Sequence, residues 1–209
     1  MTTLDQILKH KIVAIIRGAN PTDVLRIAKA LHNGGVKVLE VAMNSDNALE
    51  VIKQLSEIMK DKMLIGAGTV LDEGMTNSAI SSGAKFIISP NMNPDVIKLT
   101  KKLGAVSIPG AYTPTEIVNA YNIGGDVIKV FPASSNVNYI KEVRAPLPHI
   151  PLMPTGGITL ENISEFYKAG AVAFGIGTAL VNTKEKITEE YLNQLTERAQ
   201  NFVQVTTNF

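Results

Sequence analysis

The stretch Gly125-Asp126-Val127-Ile128-Lys129-Val130-Phe131-Pro132-Ala133 reads as a short β-branched strand, introduced by Gly124-Gly125 and stopped by Pro132. Side chains on a strand alternate between its faces. Val127, Lys129 and Phe131 therefore share one side, and Ile128 and Val130 take the other. A lysine in such a run is unusual, because burial among apolar neighbours penalises its charge and lowers its pKa. A neutral amine at moderate pH can attack a carbonyl and form a Schiff base. The structural alternative is a strand-end lysine whose ammonium snorkels into water.

Working outward from this strand, the same unit recurs. The pre-strand glycines Gly83, Gly104 and Gly125 are spaced 21 residues apart, the size of a minimal strand-plus-helix unit. Strands are predicted at 12–16, 37–43, 63–67, 85–88, 105–108, within 125–133, at 151–153 and at 171–174. Each is followed by a helical segment. Asn20-Pro21, Asn93-Pro94 and Thr113-Pro114-Thr115-Glu116 carry helix-start chemistry, with an N-cap side chain and Pro at the first helical position. The last helix carries Ile187, Tyr191, Leu195, Ala199, Phe202 and Val203 on one stripe. Alternating β and α with short connections implies a parallel sheet. Eight units predict an α/β chain folded as one (β/α)8 TIM barrel over 1–209, with a helical segment before the first strand and a helix at the C-terminus. An open doubly wound sheet is the rival, and eight regular units with no break in the pattern favour closure.

Composition narrows the function. The chain has 209 residues, is 45% hydrophobic and 19% charged, and carries a formal net charge of +1. That suits a globular domain, and no dense Lys/Arg block with interleaved aromatics points to nucleic acid. Cys is absent, which removes disulfides, thiolate catalysis and cysteine metal sites together. The early apolar run Ile12–Ile16 is too short for a membrane span and lacks a signal-peptide pattern, so a cytoplasmic protein is the expectation.

In a barrel the active face lies at the C-terminal strand ends. Arg17, Asn44, Thr69, Ser89, Thr155 and Gly156-Gly157 gather there. Within the second strand, Leu39, Val41 and Met43 form the strongly apolar set, which turns Glu40 inward, and the same logic turns Lys129 inward. The two form either a buried ion pair, weak evidence for stability, or a nucleophile with a general acid/base. Gly156-Gly157 and Gly175-Ile176-Gly177 follow the seventh and eighth strands, where barrels bind phosphate through backbone N–H groups, and Thr178 adds a hydroxyl. The structural alternative is that these glycines only make tight turns. Gly66-Ala67-Gly68-Thr69 lacks the third glycine and the acidic strand end of a dinucleotide loop, which excludes that reading. His10, His32 and His149 have no metal-ligand spacing, and Glu40 has no inward acidic partner for Mg²⁺.

Five motifs together, Leu39-Glu40-Val41, Gly66-Ala67-Gly68-Thr69-Val70, Ile88-Ser89-Pro90, Ile128-Lys129-Val130-Phe131-Pro132 and Pro154-Thr155-Gly156-Gly157-Ile158, occur in an order and spacing that resembles the 2-keto-3-deoxy-6-phosphogluconate and 4-hydroxy-2-oxoglutarate (KDPG/KHG) aldolases along nearly the whole chain. The resemblance implies a homotrimeric class I aldolase acting on a phosphorylated keto acid without a metal or other cofactor. Lys129 matches the Schiff-base lysine and Glu40 the general acid/base. Thr69, Pro90, Phe131 and Thr155 match positions around pyruvate and the substrate hydroxyls, and the two glycine clusters match the phosphate site.

One position departs from the pattern. Many family members carry Leu-Glu-Val-x-x-Arg-Thr, and here the arginine position holds Asn44. Arg17 offers a replacement cation for the substrate carboxylate or phosphate. Arg17-Gly18 and Asn44-Ser45 resemble the 6-phosphogalactonate branch, whereas Pro154-Thr155-Gly156-Gly157-Ile158 resembles the gluconate branch. The rival functions are a metal-dependent pyruvate aldolase, a phosphosugar isomerase or epimerase, and a non-catalytic phosphosugar-binding barrel.

Overall fold

Helix starts are set where the side chains dictate them. In the computed structural model, which describes residues 1–134, 136–207 and 209, Asn20 caps α2 (Pro21–Asn33) by accepting the Thr22 N–H. Asn93 does the same for α5 (Pro94–Lys102) through Asp95. Thr113 and Glu116 close a reciprocal capping box at α6 (Pro114–Ile123). Each cap satisfies backbone donors that the first helical turn leaves without partners.

The remaining helices are α1 (Thr3–His10), α3 (Ala48–Ile58), α4 (Glu73–Ser81), α7 (Val137–Arg144), α8 (Ile163–Lys168) and α9 (Glu189–Thr207). Between them run β1 (Ile12–Ile16), β2 (Val38–Ala42), β3 (Leu64–Gly68), β4 (Phe86–Ile88), β5 (Val106–Ile108), β6 (Gly110–Ala111), β7 (Ile128–Val130), β8 (Leu152–Pro154) and β9 (Phe174–Ile176). Every strand pairing is parallel. The result is a TIM-barrel-like α/β architecture.

The strands differ from the expected single run of eight. They form a six-stranded sheet in the order β5-β4-β3-β2-β1-β9 and a three-stranded sheet β6-β7-β8. Beyond the expected fifth strand a further short strand, β6, is added, separated from β5 by Pro109, which has no N–H to give to a ladder. Two further boundaries move. The last strand lies at Phe174–Ile176 instead of 171–174, so Gly175 pairs with Val13 inside the strand and not in a turn after it. Helix α8 begins at Ile163 and not at Thr159, whose N–H is taken by the Asn162 side chain. Ile187 precedes α9, while Tyr191, Leu195, Ala199 and Phe202 are its buried stripe.

Two apolar clusters reflect strand alternation. Ile12, Ala14, Leu39, Ile65, Ile128 and Phe174 pack outward against the helices. Val13, Val38, Leu64, Phe86, Val127 and Met153 pack inward, with Ile7 of α1 among them and Leu4 and Leu8 packed against the group. Helix α1 therefore plugs the N-terminal end of the strands. Among the described residues, no helix is long and apolar enough to cross a membrane.

Candidate active site

Above the inward apolar cluster, nearer the C-terminal strand ends, the same face turns polar. Glu40 of β2 and Lys129 of β7 are 1% and 3% exposed. Among the described residues, neither carboxylate oxygen of Glu40 has a hydrogen-bond partner, nor does the buried Thr155 Oγ1. Burial drives the Glu40 pKa upward, against the opposing pull of Lys129 and Arg17. It drives Lys129 downward, helped by Arg17 and opposed by Glu40. Both directions favour the uncharged forms, a neutral amine beside a protonated acid. The Lys129 Nζ lies 4.8 Å from the centre of the Phe131 ring.

Glycines make room for this layer. A Cβ on Gly68 would overlap the Glu40 carboxylate, one on Gly66 would overlap the Phe86 ring, and one on Gly175 would overlap Thr155 Oγ1. Sequence reading took Gly66 and Gly68 as the exit of a strand and weighed them against a dinucleotide loop. Their structural role is to leave space inside the strands. The available signal was their two-residue spacing, which puts both on the face carrying Glu40 of the neighbouring strand.

A cleft of about 730 Å³ opens at the C-terminal strand ends, lined by Arg17, Phe131, Thr155, Gly156, Gly157, Gly175, Gly177 and Thr178 among others. Eight of the predicted site residues thus share one wall. Gly156 and Gly157 both have left-handed backbones, φ 88° and 77°, a conformation that glycine adopts without a Cβ penalty. Arg17 donates to Thr69 Oγ1 at 3.3 Å, which ties Thr69 to the cleft. The Arg17 carbonyl accepts from Thr183 Oγ1 at 2.7 Å, and the next residue, Gly18, donates its N–H to Ser45 Oγ at 2.8 Å.

Glu40, Thr69, Lys129, Pro90 and Asn44 do not join this wall. Pro90, two residues past the end of β4, has its backbone against Gly110, and Asn44 is exposed. Thr183 and Lys184, which sequence reading missed, line the cleft from the segment leading to α9. Nothing in their local pattern marked them, because a chain reversal after β9 brings them there. No group of three or more His, Cys, Asp or Glu side chains suited to a metal ion occurs among the described residues.

The family model for KDPG and KHG aldolase matches residues 4–197. A 2-dehydro-3-deoxy-6-phosphogalactonate aldolase of Escherichia coli (strain K12) is 32% identical over 181 residues, covering 86% of this chain and 88% of the relative. A 2-dehydro-3-deoxy-phosphogluconate aldolase of Haemophilus influenzae is 36% identical over 165 residues, covering 78% and 77%. A solved KDPG aldolase of Legionella pneumophila, holding pyruvate captured at low pH as a covalent carbinolamine, superposes with a TM-score of 0.86 at 27% identity, covering 95% of this chain and 97% of that one. With a family model spanning most of its length and relatives above 30% identity, this chain belongs to the KDPG and KHG aldolase family of carbon–carbon lyases.

Proposed function

We propose that the protein is a class I aldolase that reversibly cleaves a 2-keto-3-deoxy-6-phospho sugar acid of the gluconate type to pyruvate and glyceraldehyde 3-phosphate. 4-Hydroxy-2-oxoglutarate, cleaved to pyruvate and glyoxylate, is a further substrate in this reading. The observation that carries it is a buried amine with a lowered pKa facing the same interior as a buried, unpartnered carboxyl group. Covalent capture of pyruvate in the Legionella relative supports the same chemistry.

Neutral Lys129 adds through Nζ to the C2 ketone, and protonated Glu40 gives its proton to the carbinolamine hydroxyl, which leaves as water, so that an iminium and the Glu40 carboxylate form together. Glu40 in its carboxylate form takes the C4 hydroxyl proton. The C3–C4 bond breaks, its electron pair neutralises the iminium as an enamine, and the aldehyde departs. Glu40 returns the proton to C3, and water hydrolyses the regenerated iminium to free pyruvate and the neutral amine, the released proton going back to the Glu40 carboxylate. Arg17 holds an anionic end of the substrate. Thr69, Phe131 and Thr155 surround the reacting carbons, with Pro90 reaching them from behind Gly110, the strand partner of Lys129, while Gly156, Gly157, Gly175, Gly177 and Thr178 face the phosphate. No step of this sequence requires a metal or other cofactor.

Three structural readings accompany this one. The two sheets form a single closed (β/α)8 barrel, supported by the Thr155–Gly175 bridge at one seam and, at the other, by the 2.8 Å bond from the Asp126 N–H, just before β7, to the Ser107 carbonyl of β5. The chain assembles as a homotrimer, supported by the exposed Leu71 and Tyr112 near the mouth. It works in the cytoplasm, in keeping with the absence of cysteine. A galactonate preference is the second reading, favoured by the Gly18–Ser45 hydrogen bond that joins its two signature pairs.

Pyruvate release from the C4-epimeric 6-phospho acids, followed with a coupled dehydrogenase, tests the proposal. Faster release from the gluconate epimer supports it, and faster release from the galactonate epimer selects the second reading. A folded protein that is stabilised by both acids but releases no pyruvate is a binding protein, and the proposal fails.

A further inference from the structure

A second cleft, of about 630 Å³, lies at the opposite end of the strands from the mouth. Its wall comes from α1 and from the residues that lead into β2, β3 and β4. Lys37, Lys60, Lys62 and Lys85 line it, against Asp61 as the one carboxylate. Among the described residues none of these lysines forms an ion pair; the ion pairs there involve Arg26 and Lys101. His10 and His32 complete the basic lining, and Lys37 Nζ sits 3.1 Å from His32 Nε2.

Like charges gathered in a concavity repel one another, and low-dielectric walls focus their field on whatever enters. A polar group also stands ready there. Ser56 borders the cleft, and its hydroxyl oxygen is buried with no hydrogen-bond partner among the described residues. Gly83 leaves room for that hydroxyl: a Cβ at this position would come within 2.7 Å of the oxygen, and the backbone φ of 109° disfavours any side chain. A buried hydroxyl with no partner is a feature that a bound acceptor or donor resolves.

We propose that this cleft binds a small polyanion bearing two or more phosphate groups, at a site separate from the catalytic mouth. Four ammonium groups against one carboxylate match the charge of a diphosphate better than that of a single phosphate. The volume exceeds what one phosphate fills and falls in the range of small-ligand pockets. The ammonium groups supply the charge, while Ser56 and the two imidazoles supply directional hydrogen bonds.

The chain's three histidines provide the readout, because His10 and His32 line the cleft and His149 does not. Burial and nearby lysines hold both cleft histidines low, Lys9, Lys11 and Lys37 acting on His10, and Lys37 and Lys62 on His32. Asn33 acts in the opposite sense on His32. An anion among these lysines must raise both pKa values. The experiment is an NMR titration of the three imidazoles in the full-length protein with inorganic pyrophosphate, against sodium chloride at equal ionic strength.

The expected result is an upward move of His10 and His32 by about half a pH unit at saturation, with His149 unchanged. Lys37→Met together with Lys62→Met should weaken pyrophosphate binding about tenfold and leave catalysed cleavage in its absence unaltered. An adenosine diphosphate arm identifies the source: tighter binding than pyrophosphate marks a nucleotide, and equal or weaker binding marks a compact polyphosphate. The proposal is overturned if His10 and His32 do not respond, if sodium chloride reproduces the response, or if the double variant retains it. Binding of pyrophosphate at the mouth alone would leave both histidines still and would likewise overturn it.

Discussion

The inward face of the strands is built in two layers with opposite chemistry. Val38, Val127, Met153 and Ala173 lie in the lower, apolar layer. Two residues further along the same chain segments stand Glu40, Lys129, Thr155 and Gly175. One layer resembles any close-packed protein interior. The other holds an unpartnered carboxyl, an unpartnered hydroxyl and an amine, all buried. The difference teaches where stability is generated and where it is sacrificed: the lower layer holds the strands together, and the upper layer stores reactive groups that cost free energy to bury.

The largest expected effect falls on the upper layer. Lys129→Ala should reduce cleavage by at least about 10³-fold, measured as pyruvate release, while the far-ultraviolet circular dichroism stays that of the parent. Near-normal turnover would break the division between the layers.

Next comes the lower layer. Phe86 is fully buried, and Phe86→Ala should cost about 3–5 kcal/mol of stability in urea unfolding. The fraction that remains folded should keep its catalytic rate. A large loss of kcat in fully folded protein would mean that the layers are not separable.

A backbone substitution tests the contact between neighbouring strands. Gly68→Ala places a methyl group where the Glu40 carboxylate lies. Turnover should fall about 10²-fold through misplacement of the acid/base group, and borohydride trapping of pyruvate on Lys129 should persist. Loss of trapping together with turnover would show that the methyl group disturbs more than Glu40.

The smallest effect concerns stability and pH. Glu40 has a raised folded pKa, so its stabilising contribution is present at low pH and is lost as pH rises from 4.5 through the folded value. Lys129 has a lowered folded pKa, so its contribution is present above 10.5 and is lost as pH falls through the folded value. Between those ordinary values the pair is a net cost. Lys129→Met combined with Glu40→Gln should therefore unfold about 1 kcal/mol later at neutral pH. A double variant that unfolds earlier than the parent would mean that the pair is a structural ion pair.

The caps at Asn20, Asn93 and Thr113 were legible because local side-chain chemistry determines them. Lys129 and Glu40 were legible because an ionisable residue breaks an otherwise apolar period of two. Strand β6 at Gly110–Ala111 was hidden because Pro109-Gly110 reads as the exit of the fifth strand. The space-making role of Gly66, Gly68 and Gly175 depends on register between strands, which no single segment encodes. Thr183 and Lys184 reach the mouth through tertiary folding alone.

Borohydride reduction with excess pyruvate, followed by peptide mass spectrometry, tests the central claim most directly. The account predicts a reduced pyruvate adduct on Lys129, forming faster as pH rises and levelling off below the ordinary lysine range. Folded protein that yields no adduct, or yields one on Lys184 at the mouth instead, would contradict it.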